Sequence, residues 1–513
     1  MEKLFESIEE NPEPQKTEIT GSIPDWVAGH LFRAGPAKWD FEDGFTFNHY
    51  ADGTSLMYKF TIEKGSVTVM TKFLDSEAYQ KLLQFNRPIF TEYGTRSYPD
   101  LCKSIFQRFI AHFLPMSFTD NNYDNFITLE DEMYVISEKN SIWKINHEDL
   151  TTIEKTDITN IASVNAATSH PHIAEDGTIY NIGSSVMTGM KYHIFKTPPK
   201  GAEGQSALQS TTMLSTISSS YTTCLSYYHS FGLSENYILL VEQPYLINTL
   251  RMATSGIVGY SFRDIMDWYP DEKAIFRLMD RETGIEIETK YVTKAFFFFH
   301  HINTYEEDGH LVADLLTFTD PNVLDCLFLD KMRLGKLPST VLAGFTRFVL
   351  PLNTEGKQGS NLVTLKDSKA IAIKEDENKV LLIPEKKGKL GYEMPTINYS
   401  MFNSKKYRYV YGTSAFSQNE LANSLIKLDI VNDDMKVWNE ANTMYPSEIT
   451  YIPRPGSTLE DDGVLLSVVK DVEENVRDFL LVLDAKTFKV LAKAFVPKSV
   501  QLPTSIHGIF QTI

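Results

Sequence analysis

The chain has 513 residues, 42% of them hydrophobic and 12% aromatic, enough for a large buried core and incompatible with a disordered chain. Its formal net charge of −18 provides no basic surface for a phosphate backbone, and no nucleic-acid-binding motif is present, so no nucleic-acid partner is expected. The three cysteines, Cys102, Cys224 and Cys326, are widely spaced and odd in number; they read as neither a disulfide framework nor a thiolate zinc ribbon and fit a reducing, cytoplasmic setting.

Taken in chain order, residues 1–15 (MEKLFESIEENPEPQ) are acidic and lack an apolar core, so they do not read as a signal peptide. No run approaches 18 apolar residues, and any membrane contact is therefore expected to be peripheral. Helical signal is sparse. Its best instance is residues 100–114, where Leu101, Ile105, Phe106, Phe109, Ile110, Phe113 and Leu114 form one apolar face opposite Lys103, Gln107 and Arg108. Such a face docks either on a membrane or on the rest of the protein.

Strand patterns then dominate. Short apolar runs occur at 178–185, 237–244, 310–318 and 464–469. Each follows a turn signal: Glu-Asp-Gly at 175–177, Ser-Glu-Asn at 234–236, Glu-Asp-Gly at 307–309 and Asp-Asp-Gly at 461–463. Glycine after aspartate supplies the positive φ that tight hairpins need. His170, His229 and His300 precede the first three turns, so each unit reads as a strand carrying histidine, a hairpin turn and an apolar strand. The steps are 59 and 71 residues, and His507 lies 207 beyond His300, about three more units. This recurrence predicts an all-β fold of the β-propeller kind. A sandwich or barrel would account for the strands but not for the recurring histidines.

Imidazole suits iron, and four neutral ligands leave Fe(II) its full double charge with positions open to dioxygen. The four local sequences are SHPH (169–172), YYHSFG (227–232), FFHHIN (298–303) and SIHGIF (505–510). Any one of the twelve histidines also reads as an ordinary core or surface residue, and spacing alone leaves both readings open. Glu138, Glu393 and Glu448 stand in apolar or aromatic surroundings, where a carboxylate needs a partner. They suit the second ring nitrogen of ligand histidines, or else a solvated face. No nucleophile elbow, HExxH, Walker A or dinucleotide-binding glycine pattern occurs, while paired carboxylates for glycoside hydrolysis stay open.

Over nearly its whole length the sequence resembles the carotenoid cleavage oxygenase family. The stretches that carry the likeness are GSIPDWVAGHLFRAGPA, SYPDLCKSIFQRF, VNAATSHPHIAEDGTIYNIG, YYHSFGLSENYI, FHHINTYEEDG, YPSE, LEDDGVLLSVV and the C-terminal HGIF. The resemblance implies one domain over 1–513, a seven-bladed β-propeller with a helical and loop dome over the metal face. It implies Fe(2+) held by His170, His229, His300 and His507, with His172 and His301 as neighbours only. It assigns Glu138, Glu393 and Glu448 to orient His229, His300 and His507, leaving His170 without a carboxylate. Residues 100–118 match the family's membrane-binding segment, and Cys102 matches a cysteine open to lipidation. Tyr98, Ser137 and Ile506 fall at the substrate cavity. Ser137 and Ile506 depart from the usual threonine and aromatic residue, which puts substrate shape in question.

The implied activity is cleavage of a carotenoid double bond by O2 into two carbonyls, centrally at 15,15′ to give retinal, in one variant with isomerisation to an 11-cis product. Eccentric 9′,10′ cleavage and a retinyl ester isomerohydrolase that consumes no O2 are the alternatives within the family. A non-catalytic carotenoid-binding propeller is the alternative outside it. The expected setting is cytoplasmic with peripheral membrane association, and the sequence does not specify an oligomeric state.

Overall fold

Residues 237–242 illustrate how the strands are specified. In the strand Tyr237–Glu242, Ile238 and Leu240 enter one apolar cluster while Leu239 and Val241 enter another. Side chains alternate along a strand, so a continuous apolar run is what a sheet buried on both faces requires. The strand Gly463–Asp471 follows the same rule. Val464, Leu466 and Val468 face one cluster, and Leu465 and Val469 face the next. All four expected apolar runs are strands: Ile179–Ser185, Tyr237–Glu242, His310–Phe318 and Gly463–Asp471.

The computed structural model describes residues 2–99, 119–186, 189–335, 342–388, 391–414 and 423–513. The expected helix at 100–114, the segment 100–118 and Cys102 lie outside these residues. Among the described residues the strands form eight sheets, antiparallel throughout except where Lys290–Lys294 runs parallel to Lys379–Ile383. No helix among them is long and apolar enough to cross a membrane.

Seven of the sheets pack in chain order. The sheet containing Gly29–Pro36 and Ser55–Glu63 shares a core with that of Asn125–Leu129, through Phe32, Met57, Phe126 and Val135. The latter meets the sheet of Ile179–Ser185 through Tyr134, Ile136 and Ile179, and that sheet meets the one of Tyr237–Glu242 through Ile194 and Ile238. The sequence continues through the sheets of Phe297–Glu307, Tyr409–Ser414 and Gly463–Asp471. The last of these packs back on the first, with Leu466 and Val482 against Leu31 and Tyr58. The chain ends tie this closure. Glu18–Gly21 extends the last sheet beside Val490–Phe495, and Gly508–Thr512 extends the first beside Gly29–Pro36.

The turns differ in part from expectation. Asp308 and Gly309 both have positive φ (45° and 74°), the geometry of a two-residue hairpin loop, and Gly177 has φ 82°. Gly463, however, does not adopt positive φ. It opens its strand opposite Pro453, where a Cβ would lie 2.4 Å from the Ile452 carbonyl oxygen, so close backbone approach selects glycine there. No residue of 234–236 has positive φ, and that turn is held instead by Glu306, which accepts from the Asn236 N–H and the Ser234 hydroxyl. The two longest helices among the described residues were not apparent in the sequence. Glu77–Phe85 is capped by Ser76, and Thr249–Val258 is capped by Asn248 and ended by Gly259 at φ 80°.

Leu481 is fully buried between the last two sheets, whereas Val437 is 49% exposed on an edge strand. Leu481→Ala is expected to cost about 2–5 kcal/mol in urea unfolding, against less than about 0.5 kcal/mol for Val437→Ala.

Candidate metal centre

Four histidines from distant parts of the chain converge on one point. One ring nitrogen from each of His170, His229, His300 and His507 lies within 4.8 Å of the other three. Nε2 of His170 is 2.8 Å from that of His229, Nε2 of His229 is 3.1 Å from that of His300, and Nε2 of His300 is 3.2 Å from that of His507.

The backbone places these rings differently from the expected strand positions. Only His300 lies within a strand, Phe297–Glu307. His170 precedes the two-residue strand His172–Ile173, His229 precedes Gly232–Leu233, and His507 immediately precedes Gly508–Thr512. The strand pattern located the turns, but these three residues act just outside the ladders, where backbone direction is set by the loop. At His300 the register jumps between Phe298 and His301, a bulge that turns the ring out of the regular alternation.

The second ring nitrogens explain which atoms converge. Nδ1 of His229 is 2.5 Å from Glu138 Oε1, Nδ1 of His300 is 2.6 Å from Glu393 Oε2, and Nδ1 of His507 is 2.7 Å from Glu448 Oε1. A carboxylate accepts the Nδ1–H and so leaves the Nε2 lone pair directed at the centre. Among the described residues no carboxylate bonds to His170; its backbone N–H donates to Thr168 Oγ1 at 2.8 Å.

Lone pairs held this close repel unless a cation lies between them. A metal bonded to imidazole at ~2.1 Å, with neighbouring bonds at right angles, sets adjacent nitrogens about 3 Å apart. The observed 2.8, 3.1 and 3.2 Å fit such an ion. Burial, reinforced by the other three rings, holds His170 well below the ordinary imidazole pKa. Burial also lowers His300, against the pull of Glu393. At His229 burial opposes protonation but Glu138 outweighs it, so its pKa is raised.

His172 and His301 are engaged elsewhere. His172 bonds Tyr399 Oη and the Phe231 carbonyl, both at 2.9 Å, and His301 Nδ1 is 3.2 Å from Ser230 Oγ. Burial pushes them down to about 4 and about 3, respectively.

Of the expected cavity residues, Ser137 is buried, and its hydroxyl accepts the backbone N–H groups of Tyr123 (2.9 Å) and Asp124 (3.1 Å). Ile506 packs partly against the cluster around Phe32 and Phe126. Tyr98 lies edge-on to Phe45 and under the Arg87 guanidinium, in a cavity of about 630 Å³ that none of the four histidines lines. Two aromatic residues do neighbour the cluster. Phe299 meets the His229 ring edge-on at 5.4 Å, and the Tyr227 hydroxyl donates to Glu138 at 3.3 Å.

Sequence reasoning missed Tyr227, Asp124 and Arg33. The Asp124 carbonyl accepts the His507 N–H at 3.2 Å, and its Oδ2 accepts the Glu138 N–H at 3.3 Å. Arg33 is fully buried beside Glu448. A charged residue inside the apolar stretch HLFRAGP was its signal, of the same kind that picked out the three glutamates.

Glu393→Gln keeps an acceptor near Nδ1 but removes its charge. Metal affinity measured by chelator competition is expected to fall about 10–100-fold without loss of folding.

A family model described as "Retinal pigment epithelial membrane protein" matches residues 4–512. The chain is 38% identical to a mitochondrial carotenoid-cleaving dioxygenase of Mustela putorius furo, over 99% of this chain and 96% of that one. It is 37% identical to a beta,beta-carotene 15,15′-dioxygenase of Gallus gallus, over 99% and 98%. Among solved structures, a variant of the Synechocystis apocarotenoid oxygenase superposes with a TM-score of 0.77 at 20% identity, covering 99% of this chain and 98% of that chain.

Proposed function

The chain belongs to the retinal pigment epithelial membrane protein family, the carotenoid cleavage oxygenases, and on that premise we propose that it is an Fe(II) dioxygenase cleaving a carotenoid at its central double bond. The observation that carries this reading is the convergence of four imidazoles, three of them backed by a carboxylate. The relatives' names supply the substrate class and the central position of cleavage. The cyclic packing of consecutive sheets supports one propeller domain over 1–513 with seven blades, to which the family reading adds the metal on its axis and a dome above.

In this reading His170, His229, His300 and His507 hold the metal, while Glu138, Glu393 and Glu448 fix three of them as Nδ1–H tautomers. Fe(II), when bound, supplies the one-electron chemistry that lets dioxygen react with a closed-shell alkene. The chain's residues do the rest. A neutral four-nitrogen set leaves the metal's charge undiminished at the first contact. Three carboxylates one bond further out, offset in part by Arg33, balance that charge within the core. Half-buried Tyr227 and Phe299 offer ring faces to a polyene that gains cationic character as it reacts. One alkene and one O2 become two carbonyl groups, so no proton needs to be delivered to the products.

A carotenoid resides in lipid, and segment 100–118 is proposed, on its sequence pattern, to touch a membrane peripherally from the cytoplasm, with Cys102 as a lipidation site. Tyr98, Ser137 and Ile506 are proposed to shape substrate entry and fit.

Purified protein incubated with β-carotene under 18O2 is expected to release retinal labelled in both halves, its isomer read by chromatography. Apocarotenal pairs of unequal length would move the cut off centre, and turnover of retinyl ester without O2 uptake would overturn the oxygenase reading. His300→Ala is expected to lose bound iron and at least ~100-fold in turnover, measured by metal analysis and product formation.

A further inference from the structure

Arg33 has no exposed surface and serves one arm of the metal cluster. Its Nη2 donates to the Glu448 carbonyl at 2.6 Å and to Thr450 Oγ1 at 2.9 Å, and its Nη1 donates to the Ile506 carbonyl at 3.3 Å. The same Nη2 lies 3.5 Å from Glu448 Oε2, and the other carboxylate oxygen takes the Nδ1–H of His507. The guanidinium therefore bridges the residue before His507 and the glutamate that orients its ring.

Glycine follows the ligand for a related reason. Gly508 pairs with Arg33 across the closing strands. A Cβ on Gly508 would lie 2.6 Å from Arg33 Cγ and 2.1 Å from the Phe32 carbonyl oxygen. Only a residue without a side chain lets the arginine stem cross the backbone of the last strand.

The other two carboxylates have no such cation. Glu138 receives the Tyr227 hydroxyl at 3.3 Å, and Glu393 receives the Met394 N–H at 2.8 Å. Among the described residues neither forms an ion pair with Lys or Arg, and Glu393 Oε1 is buried without a partner. The three arms are thus unequal. Two carboxylates meet the imidazole and one neutral donor each, while the third also faces a buried guanidinium.

We propose that Arg33 is a positioning residue for the metal: it fixes the Glu448–His507 arm and draws charge from Glu448, making His507 the weaker electron donor of the three carboxylate-backed ligands. This rests on the metal reading above. Arginine is suited to the task because its planar fork reaches several oxygens at once, where a lysine ammonium offers a single point charge.

A double-mutant cycle on the full chain tests it, reading Fe(II) affinity by chelator competition and the visible absorption of the Co(II)-loaded protein. Because losing the aim of Glu448 and His507 outweighs the charge returned to the imidazole, Arg33→Met is expected to lower Fe(II) affinity about tenfold, both alone and in a Glu138→Gln background, but only about threefold or less in a Glu448→Gln background. The Co(II) bands are expected to shift in Arg33→Met and to recover toward wild type in Arg33→Lys. They should not move in Val437→Ala, which lies exposed on an edge strand. Should Arg33→Met fail to fold, Arg33→Lys carries the same cycle, with the smaller loss again expected in the Glu448→Gln background. Equal losses in the two glutamine backgrounds, or unshifted Co(II) bands in a folded Arg33→Met protein, would overturn the assignment. Wild-type protein that binds neither metal would instead overturn the metal reading on which it rests.

Discussion

Four imidazole lone pairs are aimed at one point, and most of the architecture follows from what that requires. Neighbouring Nε2 atoms stand 2.8–3.2 Å apart, a repulsive arrangement that a central cation turns into a binding site. A free imidazole could escape by rotating or by moving its proton to Nε2. The Nδ1–H bonds to Glu138, Glu393 and Glu448 block both escapes for three of the four rings. His170 lacks that constraint, and its low affinity for protons comes from burial and from the other three rings.

Holding such a geometry needs a scaffold that does not yield, and the strands are built accordingly. Runs such as YILLV and VLLSVV are apolar on both faces because each sheet is packed between two others. The aiming is left to short departures from that regularity. His170, His229 and His507 sit a few residues or less ahead of a strand, free of its ladder but anchored by it, and a bulge redirects His300. Ladder residues must alternate between faces; a residue beside the ladder can point along the direction in which the strand begins.

The local pattern of the fold was therefore legible in the residues themselves, and the long-range pairing only through the family resemblance. Period and turn chemistry marked the strands at 179–185, 237–242, 310–318 and 463–471, and the recurrence of histidine before turns marked three of the four converging rings. Glycine after aspartate misled at Gly463, because the same residue serves positive φ at Gly309 and close backbone approach here. The glutamates stood out as charges in apolar surroundings, but nothing local says that Glu393 reaches His300, 93 residues away, or that Glu138 reaches His229. Arg33 carried the same local signal, a charge in the apolar stretch HLFRAGP, but its partners are 415 and more residues distant in the chain, and nothing local says what it serves.

That distance bears on how the site forms. The last histidine stands next to the strand that joins the C-terminus to Gly29–Pro36, and the final sheet closes onto the first through Leu466 and Val482 against Leu31 and Tyr58. Until that closure is made, His507 and Glu448 have no fixed position relative to the other three rings. The four-nitrogen set is thus a property of the closed arrangement and of no shorter piece of chain. An ion bound by it binds only the folded state, so its binding free energy adds to the stability of the closure that creates the site. Arg33 lies at that junction, with its stem crossing Gly508 and its guanidinium on the Ile506 carbonyl just before His507. The interaction that closes the scaffold and the interaction that aims the last ligand are, at this residue, the same one.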